Sequence, residues 1–192
     1  MPNQGQLIVL CGPSGVGKST ISRALSERQH ITYSISATTR HQRPGDEAGK
    51  RYEFISRDEF FRRLDRNEFL EYAEVYGEYY GTPKAPVVAE LNHGHDVLLE
   101  IDVQGALQVR YLYPDSLHIF ILPPDEPTLM KRLKERGRDS DEDINKRFRL
   151  AKREIHMAKG SRAFDHIVIN DTLEKAVEQV AEYVNQKKSG GL

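Results

Sequence analysis

At 192 residues the chain is long enough for one globular domain with small inserted pieces, and 38% hydrophobic residues suffice for a core under a very polar surface. A formal net charge of −1 argues against a general nucleic-acid or membrane-surface binder, which would carry a strong basic excess. A single cysteine rules out an internal disulfide, and no apolar run approaches the roughly 18 residues of a membrane span. The start, MPNQGQLIVLCGPSG, lacks the basic opening and long apolar run of a signal peptide, so the cytoplasm is the expected compartment.

In chain order, QLIVLC (6–11) reads as a buried parallel strand with Cys11 as a buried thiol, followed by a glycine-rich turn and a helix over 18–28. Residues 36–83 hold short strand-like pieces, RYEFI, FLEYAEVYG and EYYG, around a helix SRDEFFRRLDR with Ser56 as its N-cap. They read as a small inserted lobe of antiparallel strands. DVLLEID (96–102) is a second core strand and leads into a helix over 103–112. SLHIFIL (116–122) is a third, before a helix from about Asp125 to Arg136. The segment 136–158 is dense in charge, yet Ile144, Phe148, Ala151, Ile155 and Ala158 recur at spacings of three and four, giving one apolar helix face with the arginines off it. HIVIN (166–170) is a fourth core strand, followed by a helix over 172–187, and the tail KKSGGL reads as disordered. Strand–helix alternation of this kind implies an α/β fold, a parallel core sheet covered by helices on both faces. The expected division is a core of 1–35, 84–135 and 159–188, an inserted lobe of 36–83, a helical segment of 136–158, and a tail of 189–192.

Gly12-Pro13-Ser14-Gly15-Val16-Gly17-Lys18-Ser19 fits G-x-x-x-x-G-K-[ST], with a strand before it and a helix after. Glycines let backbone N–H groups turn in around phosphate oxygens, and the helix beginning near Lys18 directs its positive end to the same place. Lys18 is a mobile charge for β and γ phosphates, and the Ser19 hydroxyl can ligate Mg2+. A P-loop needs an acidic partner for its metal. Glu100 and Asp102, two apart at the C-terminal end of one strand, share a face where open α/β sheets bind ligands; Glu100 reads either as part of that metal shell or as a salt-bridge partner. Asp102-Val103-Gln104-Gly105 also fits the D-x-x-G of GTPases. A GTPase needs Asn-Lys-x-Asp as well, and here Asn145-Lys146-Arg147-Phe148 lacks the aspartate and lies in the arginine-rich helix.

A second anion site is written close by, in SATTRHQRPGDE (36–47). Arg40 and Arg43, three apart before the turn Pro44-Gly45, can clamp a phosphate. Ser36, Tyr52 and Tyr80 add hydroxyls. Glu71 stands in the mostly apolar FLEYAEV, where a carboxylate either pairs with a cation or faces a ligand. Guanine presents N1–H and N2–H2 side by side to such a group, and Thr82 could donate to guanine O6; adenine has the opposite pattern.

Together GPSGVGKST, SATTRHQRPGDEAGKRYEFIS, NEFLEYAEVYGEYYGTP, LEIDVQGA and RGRDSDEDINKR resemble guanylate kinase, from about residue 6 to 185 and with several independent motifs in order. The resemblance implies a P-loop nucleoside monophosphate kinase fold and ATP-dependent phosphorylation of GMP. It implies ATP on Gly12, Pro13, Ser14, Gly15, Val16, Gly17, Lys18, Ser19 and Thr20, with Asn170 near the adenine and Ser19 on Mg2+. GMP would be held by Ser36, Arg40, Arg43, Tyr52, Glu71, Tyr80, Thr82 and Asp102. Segment 136–158 would be the lid, with Arg136 and Arg147 joining Lys18 and Arg40 on the transferring group. Thr82 stands where some members have serine, and Arg138 adds a charge where others have an uncharged polar residue. Several relatives self-associate, so a homo-oligomer is among the expectations; nucleic acid and membrane are not expected partners. Two other classes compete. A guanylate-kinase-like protein-binding module would have no need of Lys18, Ser19 and the lid arginines, and a kinase of another small phosphorylated acceptor would have no use for Glu71 and Thr82.

Overall fold

The computed structural model describes residues 4–43, 46, 48–135 and 140–190. Pro44, Gly45, Arg136 and Arg138, singled out above, lie outside the described residues. The first half runs β1 (Leu7–Cys11), α1 (Lys18–Gln29), β2 (Thr32–Tyr33), β3 (Ser36–Thr38), β4 (Tyr52–Phe54), α2 (Arg57–Asp65), β5 (Phe69–Val75), β6 (Glu78–Pro83) and α3 (Lys84–Asn92). The second half runs β7 (Val97–Glu100), α4 (Val103–Leu112), β8 (Leu117–Leu122), α5 (Glu126–Glu135), α6 (Asp141–Gly160), β9 (His166–Ile169) and α7 (Leu173–Lys188).

Five strands form one sheet in the order β2-β7-β1-β8-β9, and every pair in it is parallel. Its central strand, β1, is buried throughout because the residues of LIVLC serve both faces in turn. Leu7, Val9 and Cys11 join Leu99 and Phe120 in a cluster closed by Val87 and Leu91 of α3 and Val103, Ala106 and Val109 of α4. Ile8 and Leu10 face the other way, against Ile21 and Leu25 of α1 and Val177, Val180 and Val184 of α7. The apolar face anticipated on the charged segment is real. Ile144 and Ala151 of α6 pack with Leu129 and Leu133 of α5, with Phe148 and Ile155 alongside, while Ala158 joins the main core. Ser140 caps α6 by accepting the Asp143 N–H at 3.2 Å, and Asp141, Glu142 and Asp143 place negative charge in its first turn.

A second sheet, β4-β3-β6-β5, makes the inserted lobe. It is mixed rather than antiparallel: β3 pairs with β6 and β6 with β5 antiparallel, but β3 and β4 run parallel. Ser56 caps α2 as expected, accepting from the Glu59 N–H at 3.1 Å. Three elements were not anticipated. β2 and β3 are two and three residues long, and α3 follows Pro83 and carries Pro86 in its first turn, where the missing N–H does no harm but the sequence reads as a loop. The tail also differs from expectation: Lys187 and Lys188 close α7, where Lys188 pairs with Asp96 at 2.5 Å. Among the described residues no helix is long and apolar enough to cross a membrane.

Candidate active site

The two sheets face each other across a cleft of about 680 Å3, walled at one end by the loop after β1 and at the other by β3 to β6. At the loop end, Gly17 holds φ at 94°, a left-handed conformation, and caps α1 with no side chain, so the helix N-terminus is left for an anion. A Cβ at Gly17 would come within 2.5 Å of Asn170 Nδ2. Lys18 Nζ donates to the carbonyls of Gly12 and Pro13, folded back on its own loop. Ser19 Oγ donates to Glu100 Oε1 at 2.8 Å. Gly12, Pro13, Ser14, Gly15, Gly17, Lys18 and Ser19 line the cleft. Val16 is fully buried in the core beneath them, and Thr20 stands exposed on α1. Asn170 is also buried, its Nδ2 donating to Val16 O at 2.7 Å, so it braces the loop from behind.

At the lobe end, Ser36, Arg40, Arg43, Tyr52 and Tyr80 come together on the cleft wall. Arg40 lies over the rings of Tyr52 and Phe54, 5.5 and 5.3 Å from their centroids, and donates to Asp46 Oδ2 at 2.8 Å. The same carboxylate oxygen accepts the Arg43 N–H at 2.7 Å, so Asp46 shapes the turn that carries both arginines. The Tyr52 and Tyr80 rings meet edge to face at 5.9 Å.

Glu71 directly follows a β-bulge. Phe69 pairs with Pro83 but Glu71 with Thr82, so Leu70 is an extra residue in β5. Strict alternation would send Leu70 and Glu71 to opposite faces; here both are buried, Leu70 in the core and Glu71 on the cleft. Thr82, fully buried, donates its hydroxyl to Glu71 Oε1 at 2.6 Å. Its one proton therefore serves the carboxylate, where the sequence suggested donation to guanine O6. Gly105 lets the first turn of α4 pass close to Glu71, since a Cβ there would strike the carboxylate. Burial pushes Glu71 up to about 7, with the nearby Asp102 adding to the rise and Thr82 opposing it.

Asp102 is not on the strand with Glu100. β7 ends at Glu100, and Asp102 is the N-cap of α4, its Oδ1 accepting the Gly105 N–H at 2.8 Å. Both still face the cleft, and burial raises Asp102 above the usual carboxylate range. Arg147 of α6 reaches the same cleft, its guanidinium 5.3 Å from the Tyr76 ring centroid, so the charged helix leans over the lobe. Asp46, Glu154 and Arg51 are among the cleft residues that were not foreseen. Asp46 was visible only as part of a turn. Glu154, on α6, faces Lys18 and Asp102 and is pushed up to about 7 by burial. Arg51 bonds Glu100 at 2.6 Å across 49 residues of sequence, a proximity no local pattern carries.

A P-loop with its lysine and serine at one end of a cleft, and an arginine–tyrosine anion site at the other, define the class as a phosphoryl-transfer enzyme that accommodates two phosphorylated molecules together. The family model for guanylate kinase matches residues 4–187. A guanylate kinase of Caldanaerobacter subterraneus subsp. tengcongensis is 47% identical over 186 residues, covering 96% of this chain and 89% of that protein. One of Lactobacillus johnsonii is 48% identical over 186 residues, covering 96% of this chain and 90% of that protein. The crystal structure of guanylate kinase from Anaplasma phagocytophilum superposes with a TM-score of 0.81 at 31% identity, covering 96% of this chain and 87% of that one. The chain belongs to the guanylate kinase family, the ATP:GMP phosphotransferases.

Proposed function

We propose the following division of labour for transfer of the γ-phosphoryl of ATP to GMP, in the cytoplasm. ATP lies on the loop from Gly12 to Thr20, which Val16 anchors from below and Asn170 braces from behind. GMP lies in the lobe, its phosphate between Arg40 and Arg43 with hydroxyls from Ser36, Tyr52 and Tyr80. Its base meets Glu71, which Thr82 orients, and Asp102 offers a second acceptor at the same edge. The observation that carries the reading is a buried carboxylate beside an arginine clamp, sharing one cleft with a P-loop.

The acceptor atom is a phosphate oxygen of GMP, already anionic near neutral pH, so no general base is needed. The obstacle is repulsion between two anions. Lys18 swings from the Gly12 and Pro13 carbonyls to the donor phosphates, Arg40 neutralises the acceptor, and Arg136 and Arg147 come down from the lid onto the group in flight. Closing the lid also keeps water from the donor phosphate. Mg2+ suits this corner: Ser19, donating its proton to Glu100, keeps oxygen lone pairs for a hard cation. Among the described residues no group of three or more His, Cys, Asp or Glu side chains would hold a metal by itself, so ATP's own phosphates are the expected remaining ligands. When bound, Mg2+ supplies charge neutralisation and holds the phosphates in register.

ADP release measured separately with GMP, AMP, CMP and UMP tests the reading. Turnover is expected with GMP far above the others. Equal turnover with AMP would defeat the base-reading role of Glu71, and no turnover with any acceptor would favour a binding module.

A further inference from the structure

The two ends of the cleft are tied together by a chain of side chains that starts at Ser19 and Glu100 of the metal corner and ends at Arg51, a residue the proposed mechanism does not use. Arg51 immediately precedes Tyr52 of β4, in the acceptor lobe. Its Nη2 donates to Glu100 Oε2 at 2.6 Å, on the core sheet, and to the Tyr33 hydroxyl at 3.3 Å, with the guanidinium 5.6 Å from the Tyr33 ring centroid. The other oxygen of the same carboxylate, Oε1, accepts from Ser19 Oγ at 2.8 Å. Glu100 is nearly enclosed, its side chain 8% exposed, and a carboxylate so placed needs a cation beside it. Arg51 is that cation.

A serine hydroxyl has one proton and two lone pairs. While Ser19 donates to Glu100, both lone pairs stay available to a metal. Should the carboxylate swing away, the hydroxyl is free to turn its proton toward the phosphates. The Tyr33 hydroxyl of β2 donates to Glu100 Oε2 at 3.3 Å, and the charged partner that holds the carboxylate beside it is a residue of the opposite lobe.

We infer that Arg51 is a positioning residue: by holding Glu100 against Ser19 it makes the metal corner of the donor site depend on the placement of the acceptor lobe. The inference rests on the assignment of Ser19 to Mg2+ and of the lobe to GMP. Its consequence is reciprocal: GMP, by settling the lobe, tightens Mg-nucleotide binding, and Mg-nucleotide tightens GMP binding by the same factor.

Calorimetry with ADP and GMP, a pair with no γ-phosphoryl to transfer, reads this directly. In the wild type GMP is expected to tighten ADP binding in Mg2+ but not in EDTA. Arg51→Met should weaken ADP binding in Mg2+ with GMP present by roughly 10- to 100-fold, the usual scale for losing the group that orients a metal ligand. ADP binding in EDTA and GMP binding alone should stay as in the wild type. Arg51→Lys keeps the charge on a shorter side chain and should lose less. Should Arg51→Met fail to fold, Arg51→Gln, which offers Glu100 only an uncharged donor, should show a Mg2+-restricted loss of the same kind but smaller. Wild-type coupling in the folded variants, or a loss of equal size in Mg2+ and EDTA, overturns the role of Arg51. A wild type that binds ADP but not GMP overturns the site assignment instead.

Discussion

Replacing Glu71 by glutamine should weaken the enzyme and strengthen the empty protein at once. Glu71 is 4% exposed, and burial pushes it up to about 7 from an ordinary 4.5. The folded state thus holds this proton more tightly than the unfolded chain does. That contribution is present below pH 4.5 and is lost as pH rises through 7. At pH 8 the ionised carboxylate costs the fold up to about 3 kcal/mol. Glutamine has no charge to desolvate and can keep the Thr82 hydrogen bond through its carbonyl. Without ligand, Tm at pH 8 should therefore rise by roughly 2–4 °C for each kcal/mol recovered, and at pH 5 it should rise by only about a quarter as much. Toward GMP the change runs the other way. The new NH2 faces guanine donors and a charged acceptor is gone, which should cost about 2–4 kcal/mol, or roughly 30- to 1,000-fold in kcat/KM. The phosphate clamp is untouched, so the GMP/AMP ratio should collapse with it. The assay is coupled ADP release with GMP and with AMP, alongside melting curves at both pH values. An unchanged GMP/AMP ratio means that Glu71 does not read the base. A Tm at pH 8 no higher than the wild type's means that the burial penalty assigned to it is absent.

Lys18→Met should abolish turnover while calorimetry finds GMP binding largely intact, because the hydrogen bonds of Lys18 go to the donor loop; loss of GMP affinity along with activity would contradict two separate ends. Arg147→Ala should lower kcat by orders of magnitude with smaller changes in either KM, as expected of a group that acts on the transition state. A rise confined to the KM for ATP would make Arg147 a ground-state anchor. Asp46→Asn removes the charge that Arg40 meets at 2.8 Å and should raise the KM for GMP by about tenfold, on the scale of a lost charge-assisted hydrogen bond. An equal rise in the KM for ATP would show that the turn does more than shape the acceptor site.

The core was legible because its signals are local. Runs such as LIVLC and LHIFIL are buried on both faces and announce parallel strands by themselves, and the period of three and four in α6 gave its packing face residue by residue. Local reading failed where a neighbour in space decides. Two residues become β2 only because β7 lies beside them. Asp102 left the strand because the Gly105 N–H offered its carboxylate a capping bond. The residue types that line the cleft were legible, since they stand in local motifs, but their second partners were not. Thr82 turned to Glu71, Asn170 to Val16, and Arg40 to Asp46, each a partner that only the folded chain supplies.

The extra residue in β5 has a consequence for how this protein can change. In a regular strand Leu70 would share the outward face of the exposed Tyr72 and Glu74; the bulge lets it pack into the core instead, directly beside a residue that faces the cleft. Here Leu70 packs into the core and Glu71, next to it, faces the cleft, where the proposed function puts the base. Fold and preference are written in separate letters. Position 71 can be varied to seek acceptors other than GMP while the foundations under it stay as they are, and the place to begin a library is this one codon together with that of Thr82.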